Sequence, residues 1–561
     1  MTMKKIIYII LTLFFAALSH SCADLNLTPP SEASTENWNK TAEQLRISLN
    51  DLYRQYLWKM NTQWWGDKRS DDWSQRTTIY EYTQGNVTST WSVNTYWENS
   101  YKGISRAVRV IEAIDAMDDA ESFTALRAEA MFFRGYLYGR QIILYGDVPF
   151  YTKSITPEEA LNMSRTDKNV IKTQVYADLD YAIANLPEDN SAGGVWRVNR
   201  YVALSLKARI ALHLQDWAIA RDACAEVMDS GVYSLYPDYG ELFRIKGLNC
   251  EVIFSIANLY DKQYQEIKNY IPATAGGAAI AQPSWDLLAT YECTDGKTID
   301  ESPLFNPHNP YENRDPRCCE TFVAPGSTYL GVVYEPNPNV KQVWDDWTGQ
   351  MVNNRDIKPA NQYAAFSSTC LRKGGRDEWR EGQYNDNPNI IIRYADVLLM
   401  YAEAKIELNE IDQSVLDAIN DVRARAYKTT RGDTAHYPSI TTTDQVSLRK
   451  ILRRERRVEF AWENRRWFDL KRWGWFEKAY SHHRYGHKNA EGLVAMVAAG
   501  DYYWPYAPDF DEDGFPDFTR MYNEGYIERY VVNSYNPKVE LFPIPNDEIL
   551  TNSNLTQNPG Y

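Results

Sequence analysis

YVALSLKARIALHL at 201–214, the dipeptide QD at 215–216 and WAIARDACAEVM at 217–228 are the stretch that decides the fold. Two helical runs stand either side of a short two-residue break. Small residues (Ala203, Ser205, Ala208 and Ala220) recur where such helices would touch. Val175 to Leu186 and Tyr201 to Leu214 read as a helix pair, and Trp217 to Met228 continues after the break.

Outward from it, the same grammar repeats. Tyr394 to Leu408 followed by Val415 to Ala426 reads as a second hairpin. Upstream, apolar stripes at three- and four-residue steps run through Leu45, Leu49, Leu52, Tyr53 and Tyr56, and through Trp97, Tyr101, Ile104, Val108 and Ile111. A longer helix covers Leu126 to Leu144 and stops where Gly146 and Pro149 end the pattern. The 203–209 stretch with Trp217 and Ala220 resembles a tetratricopeptide hairpin, a unit that buries its apolar face only by stacking on neighbours. Between the helical blocks, Tyr260 to Asn389 is rich in Pro, Gly, Asn and Trp and has no sustained helical period. The expected fold is mainly α, a tetratricopeptide-like helical-hairpin scaffold with long ordered loops and a few short strands. Loops of that length on a rigid frame carry function.

The amino terminus reads as an export signal. Lys4 and Lys5 precede an apolar run from Ile6 to Leu18, shorter than the ~20 residues that span a bilayer, and Ser19-His20-Ser21 leads to Cys22. A signal that stops at a cysteine resembles that of a bacterial lipoprotein, which implies lipidation of Cys22 and attachment to a membrane. The following polar residues, with Pro29 and Pro30, form a tether. The organisation expected is a signal peptide at 1–21, lipidated Cys22 and tether at 22–40, an N-terminal helical part at 41–260, a loop-rich ligand-binding part at 261–390, and a C-terminal helical part at 391–561 with an insertion at 482–520 and a packed tail.

Composition narrows the function. With 60 basic and 75 acidic residues the formal net charge is −15, which opposes general attraction to nucleic acid or anionic lipid. The chain holds 18 Trp and 40 Tyr, many of them in polar, loop-like stretches. No H-E-x-x-H, G-x-S-x-G, Walker A or G-x-G-x-x-G motif occurs. Six cysteines besides Cys22 are present, with no pairing that spacing can assign.

Four blocks in order carry a family resemblance: Tyr145-Gly146-Asp147-Val148-Pro149-Phe150 with Arg165 and the 175–187 segment; Arg393 to Ala404; Glu455 to Phe460 with Glu463 and Arg466 to Arg472; and Leu541 to Pro545 with the terminal Gln557 to Tyr561. Together they resemble the SusD/RagB-like outer-membrane glycan-binding lipoproteins. That resemblance implies an α-helical tetratricopeptide-like fold, a surface location at the outer membrane through the lipid anchor, a SusC-like TonB-dependent transporter as partner, capture of oligosaccharide or polysaccharide without turnover, and no required cofactor. Two alternatives stay open: a surface glycoside hydrolase using a carboxylate pair among the 75 acidic residues, and a peptide-binding relative.

The densest polar and aromatic cluster is Trp64, Trp65, Asp67, Arg69, Asp71, Asp72 and Trp73. Pyranose C–H faces stack on indole while hydroxyls pair with carboxylates and guanidinium, so glycan contact is one reading and loop packing the other. A second set in the loop part comprises Trp285, Tyr291, Trp344, Trp347 and Trp379. The charge-rich run Lys450 to Arg472 reads as an ion-pair network, because Glu455, Glu459 and Glu463 interleave its cations. Asp509, Asp511, Asp513 and Asp517 with Gly514 open a calcium-loop pattern that lacks the closing Glu, since Arg520 stands twelfth; a structural calcium and a solvated acidic turn are the two readings. His482, His483 and His487 lack a third partner with zinc spacing.

Overall fold

The computed structural model describes residues 38–58, 64–75, 82–90, 94–189, 197–258, 267–361, 364–382 and 384–561. Cys22, the signal segment and the tether as far as residue 37 lie outside the described residues.

Eleven helices frame the site: α1 (Ala42–Asn50), α2 (Asn94–Asp115), α3 (Thr124–Tyr145), α4 (Lys168–Asn185), α5 (Arg200–His213), α6 (Trp217–Asp229), α7 (Glu378–Glu381), α8 (Tyr394–Glu407), α9 (Gln413–Ala426), α10 (Gln445–Glu459) and α11 (Arg466–Trp473). They stack in sequence, α2 on α3, α3 on α4, α4 on α5, α5 on α6, α6 on α8, and α8 on both α9 and α10. This is the hairpin array expected from 201–228 and 394–426.

Local chemistry sets the starts and stops. Asn199 accepts the Val202 N–H at 2.9 Å to open α5, and Asp444 accepts the Ser447 N–H at 2.8 Å to open α10, caps that contribute about 1 kcal/mol each. At the end of α3, Gly146 takes φ +74°, which a side chain would disfavour. Within α3, a Cβ on Gly135 would come 3.0 Å from Asp178 of α4, and one on Gly139 would come 2.7 Å from Ile210 of α5. Glycine there lets three helices approach closely, and their apolar faces (Leu137, Leu179, Leu204, Ile210) form the main core.

The loop-rich part contains short strands. β1 (Trp73–Gln75) pairs with β3 (Ala281–Pro283), β2 (Val252–Ile256) with β8 (Asn389–Arg393), and β4 (Thr328–Tyr329), β5 (Val332–Val333), β6 (Gln342–Asp345) and β7 (Gln350–Asn353) form a four-stranded antiparallel sheet. A separate core lies beneath, built of Trp73, Trp285, Tyr291, Trp462 and Trp504. Residues 482–520 contribute β9 (Arg484–His487), which pairs with β12 (Ile527–Val531), and the β10–β11 ribbon (Asp509–Phe510 with Pro516–Asp517).

Charged residues of α10 knit the halves together. Glu459, wholly buried, receives Arg317 at 2.9 Å and Arg393 at 2.6 Å and also pairs with Arg425; Glu455 takes Arg317 at 2.6 Å and Arg423 at 3.0 Å. Burial alone would raise the Glu459 pKa, yet the arginines outweigh it and hold the carboxyl well below its usual range. The run Lys450 to Arg472 is therefore an ion-pair network, as its sequence predicts. The tail is likewise packed: the Phe542 N–H donates to Leu144 O at 2.8 Å, and Arg165 reaches Asp147 O at 2.7 Å and Asn558 Oδ1 at 2.6 Å, joining the first and last blocks. Among the described residues, none of the six cysteines forms a disulfide.

Candidate functional site

Most of the early aromatic and acidic cluster is interior, which favours loop packing, the second of its two readings, over glycan contact. Trp65 packs edge-on against Tyr96 and Trp467, with the Arg69 guanidinium 4.1 Å from its ring centre. Trp73 stacks on Trp462 at 4.6 Å, and Trp64 lies edge-on to Tyr270 and Trp462. Asp71 receives both arms of Arg466 at 2.7 Å and Arg457 at 2.9 Å, while Asp72 takes Arg457 at 2.8 Å. These arginines override burial and keep Asp71 strongly acidic. Among the described residues no guanidinium pairs with Asp67; burial lifts it to about 7, and one oxygen accepts the Asn464 N–H at 2.8 Å. Rings packed against other aromatics and an Asp71 bound by two guanidiniums are turned to the interior rather than to solvent. Of this group Trp64, at the edge of the core, lines a recess that it shares with Trp379.

The second set divides. Trp285 donates its indole N–H to Ser367 O at 2.7 Å, and Tyr291 donates to Thr321 Oγ1 at 2.8 Å; both are core residues, and Trp379 is buried too. Trp344 and Trp347 are the exception, 45% and 44% exposed. Their placement follows from strand alternation. In β6, Val343 and Asp345 turn inward and Trp344 outward, and the register sets Trp344 directly opposite Met351 of β7, itself 51% exposed. An indole and a thioether thus share an outer face with Gln342 and Asn353, which are also exposed.

That face is held rigidly. Trp344 Nε1 donates to Asp346 Oδ1 at 2.9 Å, which fixes the ring's orientation. On the inner side Asp345 accepts both arms of Arg380, from α7, at 2.8 and 2.6 Å; this pairing draws the Asp345 carboxyl down to about 2. The same guanidinium lies 4.3 Å from the Trp347 ring centre, with Gly331 closing against that ring's edge. Arg380 therefore pins the turn and one of its two tryptophans at once, and Met351 and Arg380 are the residues that sequence reading missed. Met351 is legible only once the β6–β7 register is known; Arg380 had one cue, its place next to Trp379.

The acidic turn carries a cation of the chain itself. Lys478 pairs with Asp511 at 3.3 Å and also with Asp513, so an ammonium already sits among those carboxylates, and Asp511 accepts the N–H groups of Asp513 and Phe515 at 2.9 Å each. Among the described residues no group of three His, Cys, Asp or Glu side chains is placed to hold an ion. His487 is buried among Trp285, Tyr502 and Tyr503. No helix among the described residues is long and apolar enough to cross a membrane.

Comparison with known proteins places this geometry. Residues 25–212 match a family model described as starch-binding associating with outer membrane, and residues 250–561 match the model of the SusD family. SusD-like protein P25 of Formosa agariphila is 27% identical over 401 residues, covering 68% of this chain and 70% of its own; SusD-like protein P2 of the same organism is 24% identical across 99% of both. A SusD-like carbohydrate binding protein from Bacteroides fragilis superposes with a TM-score of 0.75 at 25% identity, covering 92% of this chain and 99% of that one. A laminarin binding SusD-like protein shares the fold, with a TM-score of 0.57 at 19% identity over 93% of this chain and all of that one. With a family model matching more than half of its length and both halves accounted for, the chain belongs to the SusD family.

Proposed function

We propose that the protein captures oligosaccharide or polysaccharide at the cell surface, anchored to the outer membrane through lipid on Cys22, and delivers it without turnover to a SusC-like TonB-dependent transporter. The observation that carries the binding step is the outward indole of Trp344 beside Met351, braced by Asp346 and backed by the Asp345–Arg380 pair. A flat apolar ring rimmed by exposed Gln342, Asn353 and Asp346 suits a pyranose, whose C–H face stacks while its hydroxyls exchange hydrogen bonds with the rim. Relatives described as carbohydrate binding and laminarin binding support the same reading. Delivery and anchoring rest on family membership and on the signal read in residues 1–22.

Affinity electrophoresis against a polysaccharide panel, paired with an assay for new reducing ends, tests it. The expected result is retardation by at least one glycan, lost in Trp344→Ala, with no reducing ends released. Release of reducing ends by the purified chain, or equal retardation of Trp344→Ala, would overturn it.

A further inference from the structure

In the turn that joins β6 to β7, Asp346 stands between the two half-exposed tryptophans and is fixed at both ends. Its N–H donates to Gly331 O at 2.8 Å, and its Oδ1 accepts the Trp344 indole N–H at 2.9 Å. The residue is exposed, and among the described residues its Oδ2 accepts no hydrogen bond. An indole N–H points out along the plane of its ring, so this bond sets a solvent-facing carboxylate at the edge of the Trp344 platform.

The charge of that carboxylate is not cancelled nearby. Both arms of Arg380 are taken by Asp345, and the Lys341 ammonium turns back to Pro338 O at 2.6 Å. The outward alternation of β7 runs on past Asn353 to exposed Arg355. Arg355 is four residues beyond Met351, the partner of Trp344, and so stands about 13 Å along the ribbon at ~3.3 Å per residue. Screening at physiological salt acts over about 8 Å, so a group lying on Trp344 feels Asp346 and little of Arg355. The other side chains on the face, Gln342 and Asn353, are neutral amides.

An ionised carboxylate only accepts hydrogen bonds, and it accepts most strongly from donors such as a sugar hydroxyl. A pyranose stacked on Trp344 extends its equatorial hydroxyls sideways, toward the ring edge where Asp346 sits. A carboxylate or sulfate ester in the same place brings oxygens that also only accept, and a like charge that repels. We propose that Asp346 is a specificity residue of the Trp344 face: it accepts from the hydroxyls of a neutral sugar and rejects a uronic acid or sulfated sugar at that position. The proposal rests on the glycan-binding reading of Trp344 and adds to it the class of glycan.

Affinity electrophoresis of the intact chain against charge-matched polymers tests it. Each neutral polysaccharide that retards the chain is compared with its derivative oxidised to carboxylate at the primary hydroxyl, and each polyuronate that does so with its methyl ester. The neutral member of every pair is expected to bind about threefold or more tightly than the charged one, with the gap narrowing as sodium chloride is raised. Asp346→Asn keeps an oxygen for the Trp344 N–H and loses the charge. It should close the gap and weaken the neutral glycan about fivefold, the difference between a charged and a neutral acceptor. A polyuronate that binds through Trp344 more tightly than its methyl ester, or a folded Asp346→Asn protein with the gap intact, would overturn this proposal and leave the Trp344 reading standing. Retardation by no polymer, or retardation indifferent to Trp344→Ala, would overturn both. The matched pairs are read on the native chain, so a misfolded variant does not remove the test.

Discussion

Replacing Asp71 by Asn asks whether the early cluster is scaffold or site. Asp71 is wholly buried and is bound by both arms of Arg466 at 2.7 Å and by Arg457 at 2.9 Å, with both arginines buried too. Removing one charge from a buried ion pair costs about 3–5 kcal/mol, because the partner is left charged and unpaired. Here the loss falls at the low end: Arg457 keeps Asp72 at 2.8 Å, and Asn still offers one oxygen to Arg466. About 3 kcal/mol is expected. At roughly 2 cal/mol/K per residue the unfolding entropy of a cooperative unit of this size is about 1 kcal/mol/K, so the thermal midpoint should fall by only ~3 °C. Urea denaturation followed by tryptophan fluorescence is therefore the sharper assay. Glycan affinity of the folded variant should equal that of the native protein. An unchanged denaturation midpoint combined with lost glycan binding would refute the scaffold assignment and return the cluster to the ligand.

Other outcomes follow from the same geometry. Trp344→Ala should weaken glycan binding by about 2 kcal/mol, roughly thirtyfold, with an unchanged urea midpoint, since the ring is half exposed and supports little else. Arg380→Ala removes both the partner of Asp345 and the cation over Trp347, so fluorescence anisotropy of the turn should drop and glycan affinity fall even though Arg380 lies behind the binding face. For Asp67 the folded pKa, about 7, stands above the unfolded value near 4. Its contribution to stability is thus full below pH ~4, declines as pH rises to about 7 and is absent above it; Asp67→Asn should be at least as stable as the native protein at pH 8, by urea titration. Cys22→Ala should move the protein from the membrane fraction to the soluble one and leave glycan retardation intact.

Much of the frame was legible because helices declare themselves locally. The expected Tyr201 to Leu214 and Val415 to Ala426 appear as Arg200–His213 and Gln413–Ala426, bounded by caps at Asn199 and Asp412 that the sequence displays. The α10 network was legible too, since interleaved Glu and Arg along one helix have few other uses. The individual partners were not: Glu459 meets Arg317 and Arg393, residues 142 and 66 positions away, and no local pattern announces such meetings.

The same limit explains why the early cluster carried two readings. Tryptophans beside carboxylates and arginine describe a sugar site and an internal seam equally well, because both need flat apolar faces next to satisfied charge. What separates them is whether the complementary groups come from the ligand or from the chain. For residues 64–73 they come from the chain, almost 400 positions downstream: Trp462 for Trp73, Arg457 for Asp72, Arg466 for Asp71. For Trp344 they do not. Its strand neighbours Val343 and Asp345 are drawn inward by the sheet and by Arg380, and alternation then forces the indole out, where its one bond goes to Asp346 two residues away. Among the described residues, a tryptophan whose polar contact is local and whose ring stays half-exposed is the better candidate for a ligand, and that criterion depends on long-range pairing which only the fold supplies.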